Sequence, residues 1–142
     1  MKPTVPGVTA LLATALLASC AVSYAACGDN LPERGRLFAE TSGWQVAFVP
    51  VPGPLASGKA FSLDLVVCPT APGTQLLRLG VDADMPAHKH GMNYRTVVKA
   101  TDGSRYRADG LLFHMPGRWR FLLELEVTPG QTVRLSREVD VP

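Results

Sequence analysis

Ala60-Phe61-Ser62-Leu63-Asp64-Leu65-Val66-Val67 is the stretch that decides the fold. Phe61, Leu63 and Leu65 share one parity, with Ser62 and Asp64 on the other. A strand sends alternate side chains to opposite faces, so a period of two buries one face and leaves the other in water. Pro69 to Gly73 ends the run. Upstream, Gln45-Val46-Ala47-Phe48-Val49 is apolar and β-branched and stops at Pro50 and the Pro52-Gly53-Pro54 turn. Downstream, Gln75 to Ala83 alternates again through Leu77, Leu79 and Val81. Tyr94 to Ala100 reads as a further strand, and Thr101-Asp102-Gly103-Ser104 carries the Asp-Gly hairpin signal. Arg105 to Phe113, Arg118 to Val127 and Gln131 to Val141 follow, separated by Pro116-Gly117 and Pro129-Gly130. About seven short strands with Pro/Gly turns between them make an all-β, antiparallel sandwich. No stretch has a capped helical period. Trp119, between Arg118 and Arg120, reads as a core residue flanked by solvated charges.

The N-terminus belongs to a different class of sequence. Lys2 is followed by an apolar run from Val8 to Ala18, long enough for a signal-peptide core and too short to span a bilayer. Two processing sites compete. Leu17-Ala18-Ser19-Cys20 matches a lipobox, which would end the leader at residue 19 and lipidate Cys20. Ser23-Tyr24-Ala25 offers small residues for a signal peptidase, giving a leader over 1–25 and one domain over 26–142. The expectation is an exported protein, in the bacterial periplasm or as an outer-envelope lipoprotein. The membrane would then be touched only through a lipid on Cys20.

Without Lys2, 13 basic and 12 acidic residues remain. Such a balance is no footprint for nucleic acid or for an anionic bilayer. With Cys20 at the leader boundary, Cys27 and Cys68 are left as an even pair, and an oxidising compartment makes a disulfide the default. The alternative, two thiolate metal ligands, lacks a CxxC-type spacing.

The candidate chemistry lies in two segments. Met85-Pro86-Ala87-His88-Lys89-His90-Gly91-Met92 and Phe113-His114-Met115-Pro116-Gly117 hold all three histidines and every methionine except Met1. In an extended chain His88, His90 and Met92 project from one face. Imidazole and thioether together are soft donors that select copper, Cu(I) above all, over hard cations. Thioethers also survive oxidising conditions in which free thiols do not. A fourth donor could come from His114 or Met115; both parities of that strand are apolar, so the pattern does not choose. Plain packing accounts as readily for Met85 and Met115. Asp82 and Asp84 share a parity and read as solvated residues or as carboxylates that orient an imidazole. Enzymatic readings find little. There is no GxSxG elbow, and the paired cysteines leave no thiol nucleophile. Neither mature start is a histidine, which excludes copper oxygenases that bind through an N-terminal imidazole.

Met85-Pro86-x-His88-x-His90-Gly91-Met92, followed by Gly110-Leu111-Leu112-Phe113-x-Met115-Pro116-Gly117-x-Trp119, resembles the YtkA-like (FixH-like) family of small exported domains. The resemblance covers about 62–127. It implies an immunoglobulin-like sandwich without enzymatic activity and, for some members, copper handling or assembly of redox complexes. Carried onto this chain, the implied metal residues are His88, His90 and Met92, with Met85 and His114 as further donors. Trp119, Met115 and Gly117 match the structural signature. Two positions depart from the pattern. Lys89 stands where a small residue is common, and Thr96 stands where proline is expected. The expected role is a copper-binding accessory protein of the envelope for storage, delivery or protection. The alternative is a metal-free module docking on a membrane redox or metal-transport complex.

Overall fold

The alternating stretch forms a strand in the middle of a five-stranded sheet. The structure, a computed structural model, describes Met1 and residues 25–142. The leader, the lipobox and Cys20 lie outside the described residues. Nine strands form among those described: β1 (Leu37–Thr41), β2 (Trp44–Val51), β3 (Ala60–Pro69), β4 (Arg78–Met85), β5 (His90–Gly91), β6 (Val97–Asp102), β7 (Arg105–Leu112), β8 (Gly117–Thr128) and β9 (Gln131–Val141). They make two antiparallel sheets, ordered β1-β2-β3-β7-β6 and β5-β4-β8-β9. With β2, β3, β7 and β6 standing as strands A, B, E and D, and β4, β8 and β9 as C, F and G, this is an immunoglobulin-like sandwich.

Seven of these strands occupy the segments expected from sequence. Two strands carry no usable period. In β1 only Ala39 is buried, so this edge strand shows no alternation of apolar and polar residues. Strand β5 has two residues, too few for any pattern. Strand β6 begins at Val97 rather than Tyr94, because the Thr96 hydroxyl donates to the Val81 carbonyl while the chain crosses between sheets.

The inward parities meet as expected. Phe48, Phe61, Leu63 and Leu65 face Leu79, Val81, Trp119, Phe121 and Leu123 across the sandwich. Aromatic rings interlock through the centre: Phe48 on Phe121 at 5.3 Å, Phe113 on Phe121 at 5.4 Å, and Phe61 on Phe113 at 5.0 Å between centroids. Such pairs add about 0.5–1.5 kcal/mol each beyond the area they bury.

Strand β2 has no alternation because it is buried on both faces. Val46 and Phe48 point into the main core, while Ala47 and Val49 point outward under Leu31. Residues 27–31 lie across that outer face. They pass so close that Gly28 (φ 81°) has no room for a side chain, since a Cβ there would collide with Ala47. The Cys27–Cys68 disulfide fastens this cover to β3, closing 41 residues of separation. The Arg36 guanidinium donates to the Gly28 carbonyl at 2.6 Å and, at the other end of the cover, to the Leu31 carbonyl at 3.4 Å.

The outward faces are polar and paired across strands. Arg120 forks onto Asp84 at 2.9 and 2.6 Å, and Arg134 meets Glu124 at 2.8 Å. On the opposite sheet Arg107 bridges Asp64 and Asp109 at 2.7 and 3.1 Å. Exposed pairs of this kind contribute about 0–1 kcal/mol each, so they mark the wet face and the register more than they hold the fold. The Ser62 hydroxyl, donating at 2.7 Å, and then Arg107 hold the Asp109 carboxyl below its ordinary value of 3.8.

Two outcomes follow. A carboxylate depressed in the fold stabilises at pH above its unfolded value and stops doing so as pH falls through its folded one. The stability gap between wild type and Asp109→Asn, measured by urea unfolding, is therefore expected at pH 6 and should close below about pH 3.8. A gap that widens on acidification would contradict this pairing. The double variant Cys27→Ser/Cys68→Ser should lose about 4 kcal/mol in the same assay while keeping its β-type circular dichroism.

Candidate functional site

Both His/Met segments arrive at one end of the sandwich, opposite the disulfide. Register fixes this. Leu112, the last residue of β7, pairs with Ala60 at the start of β3, whereas Cys68 lies at the far end of β3. On the other sheet β4 ends beside the start of β8, with Asp84 opposite Arg120. The backbone stitches the end shut. Gly58 N donates to Phe113 O at 2.7 Å, and Ser57 N donates to Pro142 O at 3.1 Å.

The first segment is a hairpin and not the extended run expected from its spacing. His88 N donates to Met85 O at 3.0 Å, and Lys89 N to Pro86 O at 3.4 Å, closing a turn over residues 86–89. Lys89 takes φ 53°, a left-handed value that costs roughly 1 kcal/mol for a residue with a Cβ. That conformation reverses the chain, so His90 comes to lie directly opposite Met85. Opposed residues in an antiparallel pair share a face. Met85 points into the core, and His90 therefore also turns inward and is half-buried. Met92 follows on the same parity, with its N–H donating to Ala83 O at 3.1 Å and its side chain packed on the core edge. His88 stays exposed in the turn.

The second segment is the loop between β7 and β8. His114 is exposed and Met115 half-buried. The ring centroids of His90 and His114 lie 5.1 Å apart, and those of His88 and His90 5.8 Å apart. His114 is thus the residue of this segment whose ring approaches His90. Beneath them lies Trp119, fully buried and set edge-to-face at 5.9 Å from His90 and 5.3 Å from His114. Its indole N–H donates to the Met115 carbonyl at 3.0 Å, and Phe113 stacks on it at 4.7 Å. Trp119 is a core residue, as its parity indicates, and it is also part of the site, which sequence reasoning missed. The available signal was pairing: Trp119 sits one residue from Arg120, the partner of Asp84, and so beside Met85.

Met85 itself is buried, and its methyl group fills the space above Gly117. A Cβ on Gly117 would lie 2.5 Å from Met85 Cε, and the residue adopts φ 130°. Asp84 is committed to Arg120, and Asp82 accepts the Ala83 N–H at 2.7 Å, so neither carboxylate orients an imidazole.

What the cluster can do follows from its donors. His90 Nδ1 lies 3.3 Å from the Gly91 carbonyl. A carbonyl only accepts, so this contact fits the tautomer protonated at Nδ1 and leaves the Nε2 lone pair free for a metal. An imidazole nitrogen about 2.0 Å from a metal sets its ring centre roughly 3 Å away, so two imidazoles sharing one ion have centres roughly 5 to 6 Å apart. Both histidine pairs fall in that interval. Among the described residues no three His, Cys, Asp or Glu side chains form a metal-holding group. The site is instead an imidazole pair with thioethers next along the chain, Met92 after His90 and Met115 after His114. A groove of about 610 Å³ lies elsewhere, lined in part by Asp29, Arg36, Phe38 and Arg137, and contains no histidine.

Comparison with known proteins adds the fold alone. No family model matches the chain, and no curated protein does. Among solved structures it is similar to a DUF4426 family protein from Pseudomonas aeruginosa PAO1, with a TM-score of 0.53 at 10% sequence identity, covering 78% of this chain and 97% of that one.

Replacing Gly117 by alanine should therefore act at the floor of the site. Overpacking against Met85, added to a left-handed backbone, should cost about 1–3 kcal/mol in thermal unfolding. A fully neutral substitution would mean that Met85 has room to move.

Proposed function

We propose that this protein is a copper-binding accessory protein of the cell envelope, exported and acting in storage, delivery or protection rather than in turnover. The observation that carries the reading is the 5.1 Å approach of His90 and His114. The two rings come from separate loops, and nothing in a structural β-turn requires them to meet. His90 and His114 would supply the imidazoles, with Met92 supplying a thioether from the hairpin. The chemistry of the donors supports copper. Imidazole with thioether suits Cu(I), whereas zinc gains little from methionine and calcium or magnesium want carboxylate oxygens. The carboxylates nearest the cluster along β4 are engaged with an arginine and a backbone N–H. The resemblance of these two segments to YtkA-like domains points the same way.

A metal-free docking module is the second reading. Tyr94 and Val97 favour it, since both are about half exposed on the segment that leaves the hairpin. Anaerobic titration with Cu(I) against a competing chelator separates the two. The wild type should take up one equivalent, and His90→Ala/His114→Ala should lose at least tenfold in affinity. If the wild type binds no stoichiometric copper, the docking reading stands alone. Tryptophan emission locates the ion. The chain has two tryptophans, and Trp44 pairs with Pro69 at the disulfide end. In a Trp44→Phe background the remaining Trp119 emission should be quenched in proportion to bound copper.

A further inference from the structure

We infer that Trp119 is the specificity-determining floor of the histidine site, selecting Cu(I) over Cu(II) by filling the core side with an indole that has no lone pair to give. The inference rests on the copper reading above and goes beyond it to the residue that sets the preference for Cu(I).

The geometry is a triangle of rings. His90, His114 and Trp119 stand 5.1, 5.3 and 5.9 Å from one another. Two sides of that triangle can donate a lone pair, and the third cannot. The indole N–H is the single polar atom of the third ring, and it is already given to the Met115 carbonyl at 3.0 Å. Phe113, stacked on Trp119 at 4.7 Å, and Met85, packed over Gly117, close the layer around it. No buried polar side chain lies among the described core residues. An ion shared by the two imidazoles would therefore rest against a wall of Trp119 and Phe113 rings, whose neighbouring oxygen, the Met115 carbonyl, already accepts the indole N–H. What remains lies on the rim: the exposed His88 and the half-buried thioethers.

Cu(II) favours square-planar or tetragonal sets of nitrogen and oxygen donors, commonly completed by water. A site open on one side only cannot assemble such a set around both of its faces. Cu(I) has no such demand and is satisfied by few, soft donors. The effect depends on the bulk of the indole, which fills the core side, rather than on its hydrogen bond.

The test compares wild type with Trp119→Phe and Trp119→Leu, checked for folding by circular dichroism. Cu(I) affinity is measured anaerobically against bathocuproine disulfonate, and Cu(II) affinity against nitrilotriacetate. The Cu(I)-over-Cu(II) preference should fall at least tenfold in both variants. Their Cu(II) forms should also gain a coordinated water, seen as faster water-proton relaxation. An unchanged preference, or equal losses for the two ions, would overturn the inference and leave Trp119 a purely structural residue. X-ray absorption of the Cu(I)-loaded wild type decides independently of whether the variants fold. Two or three donors agree with a closed floor, and four or more refute it. A wild type that binds Cu(I) yet shows no preference overturns the floor and leaves the copper reading intact. A wild type that binds no copper removes both.

Discussion

The structure depends on one run of aromatic contacts between the sheets. Phe48 meets Phe121, Phe121 meets Phe113, and Phe113 stacks on Trp119, each pair within 5.4 Å. These rings come from β2, the β7–β8 loop and β8, so the run locks elements distant in sequence into one core. Its last member also carries the two imidazoles. The histidine rim is therefore an extension of the core packing and not a decoration on a loose loop. That is how a 4-residue loop and a 4-residue turn hold rings at defined separations. A site supported by packed side chains is more ordered than one left to loop entropy.

Much of this was legible in the chain, because burial on one face writes a period of two. Ala60 to Val67 and Gln75 to Ala83 gave their strands away in that manner. Segments with other burial patterns did not. Gln45 to Val49 reads as continuous apolar sequence since Leu31 and the cover at 27–31 bury its outer face as well. The site was legible in composition and opaque in shape. Clustering of histidine and methionine marked the residues, but the hairpin that turns His90 inward depends on Lys89 adopting a left-handed conformation usually reserved for glycine or asparagine. Nothing in the side chain announces that. The contribution of Trp119 was hidden for another reason: a residue read correctly as core was not asked what it touches at the end of the core.

The polar face obeys a different logic. Asp84 and Arg120, Glu124 and Arg134, and Asp109 with Ser62 and Arg107 satisfy one another across neighbouring strands. Since such exposed contacts contribute little individually, their effect here is one of exclusion. Carboxylates that would attract hard cations are occupied, and the donors left near the rim are soft. In the copper proposal, these pairings are what would link the fold to metal selectivity.

The disulfide and the histidines sit at opposite ends of β3, and that separation has a mechanical meaning. Eight residues from Cys68 back to Ala60, at about 3.3 Å each, make a stiff spacer of roughly 26 Å. Residue 27 is pinned to one end of that spacer. Any pull or tether acting through the N-terminus is delivered to β3 at Cys68 and stops there. The rim stands at the far end of that spacer, as far from residue 27 as β3 allows.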